Sequence, residues 1–487
     1  MASVQVEPVQ NKDKTETVIS VDDSEPTPVS EPPTFRVSRL WSAPVDSVIS
    51  VVGRIQTCRG GKSRLFIILR DGIHTFQVMA VKKMVRDRTL INTIRTTPKE
   101  TMVRITGTLR RSAIRVEAAS FHDLEMDMLD CELLSVSTQT PIEVELSNLP
   151  DDAERGHLQR KTKLDHRYLD LRAELNQIIF RVSSRFESAY RWYLEDHGFM
   201  SMHTPKLIGT ASESGAEVFK VNYFGRNGFL AQSPQLYKQM MINSDFHRVY
   251  EVGPVFRAEN CIDHRHLCEF TGLDMEMEIE HGQDYHSVLD MIWNTLRHSI
   301  NHTLEDFDER WERFKKFREF TPPVIPEKPF ILNFKDGVEM LRSAGVEQEH
   351  LDDLNTANEK MLGKLVKEKY GTDLFILDRF PTVARPFYTM VDPEDPDYTF
   401  SYDIIFRGEE ISSGAQRVHD YNTLVKRAAD AGNSYESMAG YLDSFKYGSK
   451  PHAGCGIGLE RVVMLLLQLD NLRQTSLFPR DPKRLAP

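Results

Sequence analysis

Residues 256–279 read FRAENCIDHRHLCEFTGLDMEMEI, which sets two arginines, a glutamate and two histidines around a short polar turn between two strand-like runs. The runs 249–256 and 269–279 carry β-branched and aromatic residues with partial alternation. That pattern predicts an antiparallel hairpin with a polar connection. Arg257 and Arg265 then flank one pocket. A guanidinium is always charged and grips phosphate or carboxylate through two parallel bonds, so a pair held on a stiff hairpin suits a nucleoside triphosphate.

A second signal lies near the C-terminus. Gly454-Cys-Gly456-Ile-Gly458-Leu-Glu460-Arg461 runs straight into Val-Val-Met-Leu-Leu-Leu, a glycine-rich approach to a buried helix with an arginine at its start. Phosphate fits such a helix N-terminus. The glycines alone say little, since G-x-G-x-G lacks the spacing of the dinucleotide fingerprint. Taken together, FRAE (256–259), RHL (265–267), GLDMEME (272–278) and GIGLER (456–461) resemble motifs 2 and 3 of the class II aminoacyl-tRNA synthetases. Within that class the resemblance points to the aspartyl enzymes of the eukaryotic and archaeal type, and it covers nearly all of residues 40–487.

The resemblance implies an α+β architecture: an N-terminal OB-fold barrel for the anticodon, and a catalytic domain built on an antiparallel sheet flanked by helices. It implies ATP-dependent ligation of L-aspartate to tRNA-Asp through an aspartyl-adenylate, with Mg²⁺ as cofactor and a homodimer as the working form. Arg257 is expected on the α-phosphate and the substrate carboxylate, Glu259 on the adenine amino group, and Arg265 and His266 on the distal phosphates. Leu267, Gly458, Leu459, Glu460 and Arg461 complete the ATP site. Ser212, Glu213, Gln235 and Asp274 are expected around the amino-acid ammonium, Lys238 and Arg417 on its side-chain carboxylate, and Pro205 at the dimer interface. Asparaginyl enzymes typically lack a lysine at the Lys238 position, so they fit less well.

The residues support parts of this independently. Asp274, Glu276 and Glu278 alternate along one strand face, where three acids need cationic partners or water; a polar site and a solvated face are both consistent with them. Glu410 and Ser413 offer the hard oxygens Mg²⁺ prefers, with Glu409 expected on the opposite strand face. The loop 209–217, GTASESGAE, is small and polar enough for a lid. Cys261, His264, His266 and Cys268 are soft ligands, but C-x2-H-x-H-x-C is cramped beside the usual zinc spacing.

The 487-residue chain is too long for a single core, so two domains are expected. Its net charge of −11 hides an asymmetry. Residues 1–34 hold seven acids against two lysines, and their Pro/Ser/Thr/Glu composition predicts a disordered acidic tail. Many eukaryotic relatives carry a lysine-rich extension there instead. Residues 35–116 hold seventeen Lys and Arg against four Asp and Glu, the footprint of a phosphate-backbone binder. Runs at 48–55, 64–69, 75–80 and 102–109 read as barrel strands, giving an OB-fold over 35–140. On it, Phe66, Gln77 and Glu125 are the resemblance's anticodon contacts, although a strand phenylalanine is also an ordinary core residue.

Residues 141–170 read as a linker or hinge and 171–487 as the catalytic domain. That domain opens with an amphipathic helix from Leu171 to the Gly198 stop, matching motif 1. A helix is expected over 284–306, excursions from the sheet at 308–326 and 346–369, and strands at 375–377 and 398–405. No stretch approaches the roughly 20 apolar residues of a membrane span, and the N-terminus resembles neither a signal nor a transit peptide. Five scattered cysteines point away from a disulfide framework, so a cytoplasmic location is expected. Three readings fit the sequence: an aspartate–tRNA ligase, a ligase that accepts asparagine or charges tRNA-Asn as well, and a non-catalytic nucleic-acid-binding paralogue.

Overall fold

A computed structural model describes residues 31–151, 156–210, 218–305 and 308–487. The chain divides into two units, Met1–Gln139 and Thr140–Pro487.

The first unit is a closed barrel. Strand Val48–Gly60 pairs antiparallel with both Arg64–Asp71 and Met102–Arg111, and Leu124–Ser135 joins His74–Val81 in parallel to Met102–Arg111 in antiparallel. Closure removes the sheet edges. Alternate residues (Ile49, Val51, Leu65, Ile67, Phe76, Val78) fill the interior, as period-two alternation demands. The strand expected at 48–55 runs on to Gly60 through a register shift between Ile55 and Thr57, where polar residues pair with the neighbouring strand. Strand Leu124–Ser135 was not among the expected runs, because its acids break the apolar pattern. The tail expected over 1–34 lies outside the described residues up to residue 30, and strand Thr34–Arg36 pairs in parallel with Ser50–Val52.

In the second unit the main sheet has eight strands in the order Ile331–Asn333, Leu374–Asp378, Ser401–Phe406, Glu409–Gln416, His452–Gly458, Glu269–Glu278, Arg248–Phe256, Met200–Ser201. Its six central strands are antiparallel. The outermost strand on each side is parallel, so the sheet is mixed rather than purely antiparallel. Helix Glu174–Asp196 buries Ile178, Val182, Phe186, Tyr190 and Leu194 along one face and packs against helix His286–Glu305. Helices Asp308–Phe314 and Thr356–Tyr370 form the two excursions; the second is capped by Asn355 and ends at Gly371, whose φ of 73° is the left-handed conformation glycine tolerates.

The span 141–170 is not a bare linker. From Thr140 onward it belongs to the second unit. Arg167 is buried there, ion-paired with Asp170 and donating to the carbonyls of Ser476 and Leu477, so these residues are locked to the C-terminal segment. A charge that far from water stays only where such partners meet it.

Candidate active site

Strands Arg248–Phe256 and Glu269–Glu278 pair from Arg248↔Met277 to Phe256↔Glu269, so residues 257–268 leave and re-enter the sheet at one end. There Arg257, Glu259, Arg265, His266 and Leu267 line a cavity of about 350 Å³. Arg257 is half-exposed, lies over the Phe270 ring at 5.6 Å and has Glu259 at 3.7 Å. Arg265 donates to Glu359 of helix Thr356–Tyr370 at 3.1 Å. Burial pushes the Glu359 carboxyl up, and Arg265 only partly offsets it. His266 Nδ1 meets Asp263 Oδ2 at 2.6 Å. Burial raises Asp263, but the Arg265 amide and the His266 ring outweigh it and hold its pKa at about 2.

Across the cavity, Gly456, Gly458, Glu460 and Arg461 come from strand His452–Gly458 and helix Leu459–Leu466. Arg461 donates to the carbonyls of Glu410 at 2.7 Å and Arg265 at 3.3 Å, tying the glycine-rich strand to the hairpin loop. Leu459 is buried and does not line the cavity. Glu460 is 8% exposed, and both its carboxylate oxygens accept from the Thr271 amide. Burial pushes its pKa up to about 7 against the Glu460 and Thr271 backbone bonds. Its side chain is a strand-to-helix latch at the cavity wall.

Asp274 sits on the floor, register-paired with Gly456 and two residues beyond Gly272. A Cβ at either glycine would come within 3.1 Å of its carboxylate. The bare glycines leave room for a ligand group there. Behind Asp274 lies Lys238, completely buried, with Nζ 3.1 Å from Asp274 Oδ1, 3.1 Å from the Cys455 carbonyl and 3.4 Å from Glu276. Arg417 lines the cavity and grips Glu276 through Nε at 2.9 Å and Nη2 at 3.1 Å; Nη1 takes part in neither bond. Burial pushes the Asp274 carboxyl up despite Lys238, whereas Glu276, equally buried, is held down by Arg417 and Lys238 together. Two expectations change. Glu276 lines no site but is the internal counter-ion of both cations. Lys238 does not reach the cavity and acts from behind Asp274. Glu278 lies outside the cluster and pairs with His247 and Lys450.

Glu410 and Ser413 are three residues apart and would face opposite sides of a regular strand. The register shift between Ile404 and Ile405 inserts one residue into Glu409–Gln416, and both side chains line the cavity. Glu409 points to the other side, at 3.1 Å from Lys360 and 3.2 Å from His264. Asp403, register-paired with Ser413, shares Arg385 with it: Arg385 donates to Ser413 Oγ and to Asp403 Oδ2, both at 2.8 Å. Asp403 Oδ1 is buried with no hydrogen-bond partner, and burial pushes the Asp403 carboxyl up, with Arg385 opposing. An unsatisfied carboxylate oxygen beside Glu410 and Ser413 fits a hard cation. Gln235 also lines the cavity, and its Nε2 is a buried donor with no partner. Ser212, Glu213 and most of the 209–217 loop lie outside the described residues. Pro205 is exposed, just beyond edge strand Met200–Ser201.

In the barrel, Phe66 is 36% exposed while its neighbours Leu65 and Ile67 are buried, so it is not a core residue. It pairs with Met79, and Gln77 two residues away pairs with Glu125. All three side chains therefore lie on the outer face. Gln77 donates to Glu125 at 2.6 Å, and Arg110 meets Glu125 at 2.9 Å.

Residues 159–482 match the model of class II tRNA synthetases (D, K and N), and residues 49–134 match the OB-fold nucleic acid binding domain. The cytoplasmic aspartate–tRNA ligase of Homo sapiens is 42% identical over 93% of this chain and 91% of its own length. The aspartyl-tRNA synthetase structure from Entamoeba histolytica is 36% identical, with a TM-score of 0.85, covering 99% of this chain and all of that one. The asparaginyl-tRNA synthetase of Pyrococcus horikoshii with asparaginyl-adenylate is 28% identical with a TM-score of 0.81, covering 91% of this chain and 97% of that one.

The chain belongs to the class II tRNA synthetases.

Membership in this family gives the cavity an ATP-using chemistry. Two residues beside the cation ligands, Arg385 and Asp403, carry no motif in the sequence. Arg385 lies in a connecting loop with no periodicity, and Asp403 reads as one polar residue inside a buried strand. The local signal for both was the proximity of a charged residue to an apolar run; strand register joins Asp403 to Ser413, and a hydrogen bond joins Arg385 to it.

Proposed function

We propose that this chain is an aspartate–tRNA ligase that joins L-aspartate to tRNA-Asp at the expense of ATP. The observation that carries this is a single cavity with three arginines (Arg257, Arg265, Arg461) at one end and Asp274, Gln235 and Arg417 at the other. The names of the 42% identical relatives support the same substrate.

The amino acid's ammonium sits against Asp274, which Lys238 holds in place. Gln235 supplies an unpaired donor, and Arg417 meets the side-chain carboxylate, an interaction that uncharged asparagine would leave unfilled. The α-carboxylate, already ionised at neutral pH, attacks the α-phosphorus of ATP. The bond to the bridging oxygen breaks and pyrophosphate leaves. A ribose hydroxyl of the tRNA terminus then attacks the aspartyl carbonyl and AMP departs. No side-chain base is needed, so catalysis is positioning and charge stabilisation. Arg257 stabilises charge at the α-phosphate, Arg265, His266 and Arg461 hold the distal phosphates, and Glu259 receives the adenine amino group. Asp403, Glu410 and Ser413 would hold Mg²⁺, which neutralises phosphate charge when bound. Phe66, Gln77 and Glu125 meet the anticodon.

The working form is a homodimer in the cytoplasm, with the face around Pro205 and helix Glu174–Asp196 at the interface. The exposed Trp192 on that helix and the exposed Leu207, two residues after Pro205, support this face, and a monomeric mass in solution would contradict it. Incubation with tRNA, ATP, Mg²⁺ and labelled aspartate should yield aspartyl-tRNA and AMP in equal amounts. AMP formation without any aminoacylated tRNA would contradict the reading.

A further inference from the structure

The hairpin loop carries a set of ligands of which the ATP chemistry uses only one, His266. The cysteines and histidines of C-x2-H-x-H-x-C do not converge: His264 turns to Glu409 and Lys360, and Cys268 is buried in the strand approach. Instead Cys261, Asp263 and His266 bring one sulfur, one oxygen and one nitrogen within 4.8 Å of one another. Asp263 Oδ2 lies 3.4 Å from Cys261 Sγ and 2.6 Å from His266 Nδ1. The loop beneath them is fixed from the C-terminal side, since Arg473 donates to the Asp263 carbonyl at 2.7 Å and the Leu472 amide to the His264 carbonyl at 2.8 Å. All three ligands are half-buried, and only His266 lines the cavity.

We infer that Cys261, Asp263 and His266 form a regulatory site for a thiophilic divalent cation of the zinc type, whose occupancy competes with ATP for His266. Thiolate, imidazole and carboxylate are the donors zinc favours, and three protein ligands leave a fourth position for water. Binding releases the Cys261 thiol proton to solvent and replaces the hydrogen bonds now made through Asp263. The metal takes His266 Nδ1 and fixes the ring against the loop, so the same ring cannot follow a phosphate. The competition rests on the ATP site proposed above; the metal site does not.

Cobalt(II) titration of the full chain without ATP tests the site itself. One equivalent per chain should produce a thiolate-to-metal absorption band that is absent in Cys261→Ser and His266→Ala and kept in Cys58→Ser and Cys131→Ser. No band, or a band unchanged in Cys261→Ser, overturns the site. Zinc added to amino-acid-dependent pyrophosphate exchange should then raise the KM for ATP with kcat unchanged. Cys261→Ser, titrated with zinc at the same ATP concentrations so that chelation by ATP cancels, should need about 100-fold more metal for the same effect. Equal inhibition of both proteins overturns the competition. Should exchange fail with every amino acid while the cobalt band persists, the ligase reading falls and the metal site stands.

Discussion

Lys238 concentrates the chemistry of the amino-acid end in one side chain. Completely buried, it sits between Asp274 and Glu276, and its removal takes the paired cation from Asp274 and leaves Glu276 to Arg417. Lys238→Met should cost about 3–5 kcal/mol of stability in urea denaturation, well beyond the loss of an exposed ion pair. A change under about 1 kcal/mol would mean that the charge is not held as the geometry indicates. Glu460 offers a second residue-scale test. Burial raises its carboxyl from the ordinary 4.5 to about 7, so its contribution to stability is full below about pH 4.5 and is lost as pH rises toward 7. Glu460→Gln keeps an acceptor for the Thr271 amide but does not ionise, so the difference in stability between variant and wild type should grow in the variant's favour across that range. A pH-independent difference would contradict this assignment. Both side chains looked like ligand contacts in the sequence. Lys238 lies behind the cavity, and Glu460, which lines it, has both carboxylate oxygens on the Thr271 amide; the number of protein partners a charge meets depends on strand register, which sequence spacing does not reveal.

At the scale of elements, the hairpin, the helix Glu174–Asp196 and the glycine-rich strand were all legible, since each rests on local alternation or helical spacing. The one-residue bulge in Glu409–Gln416 was not legible, although it sets Glu410 and Ser413 on one face. Bulges follow from pairing with the neighbouring strand, and nothing in EEISSGAQ announces one. The close packing of the central strands gives a prediction of its own. A Cβ at Gly454 would collide with the Met275 carbonyl and the Glu276 side chain, backbone and charge that cannot move aside. Gly454→Ala should lose about 1–3 kcal/mol of stability and amino-acid activation together. Unchanged thermal unfolding would show that these strands sit further apart than described.

At the scale of the whole molecule, charge was the most readable property. The excess of seventeen basic over four acidic residues in 35–116 falls on the barrel, while the segments on either side of it in the first unit, 1–34 and 117–139, are acidic, as is the second unit. What composition could not supply was the order of eight strands whose neighbours lie up to about two hundred residues apart in sequence, including the parallel edges. The division of labour predicts separable defects. Phe66→Ala should weaken tRNA binding by about 1–3 kcal/mol, seen as a raised KM for tRNA, while leaving pyrophosphate exchange unchanged. Binding should also fall steeply with added salt. A parallel loss of exchange would place Phe66 in the fold rather than on the nucleic acid. The most direct test of the account is pyrophosphate exchange with ATP and Mg²⁺ in the presence of aspartate, asparagine, lysine or no amino acid. The arrangement of Asp274, Lys238 and Arg417 predicts exchange with aspartate alone; exchange driven equally by asparagine, or by no amino acid in folded protein that still binds tRNA, would contradict it.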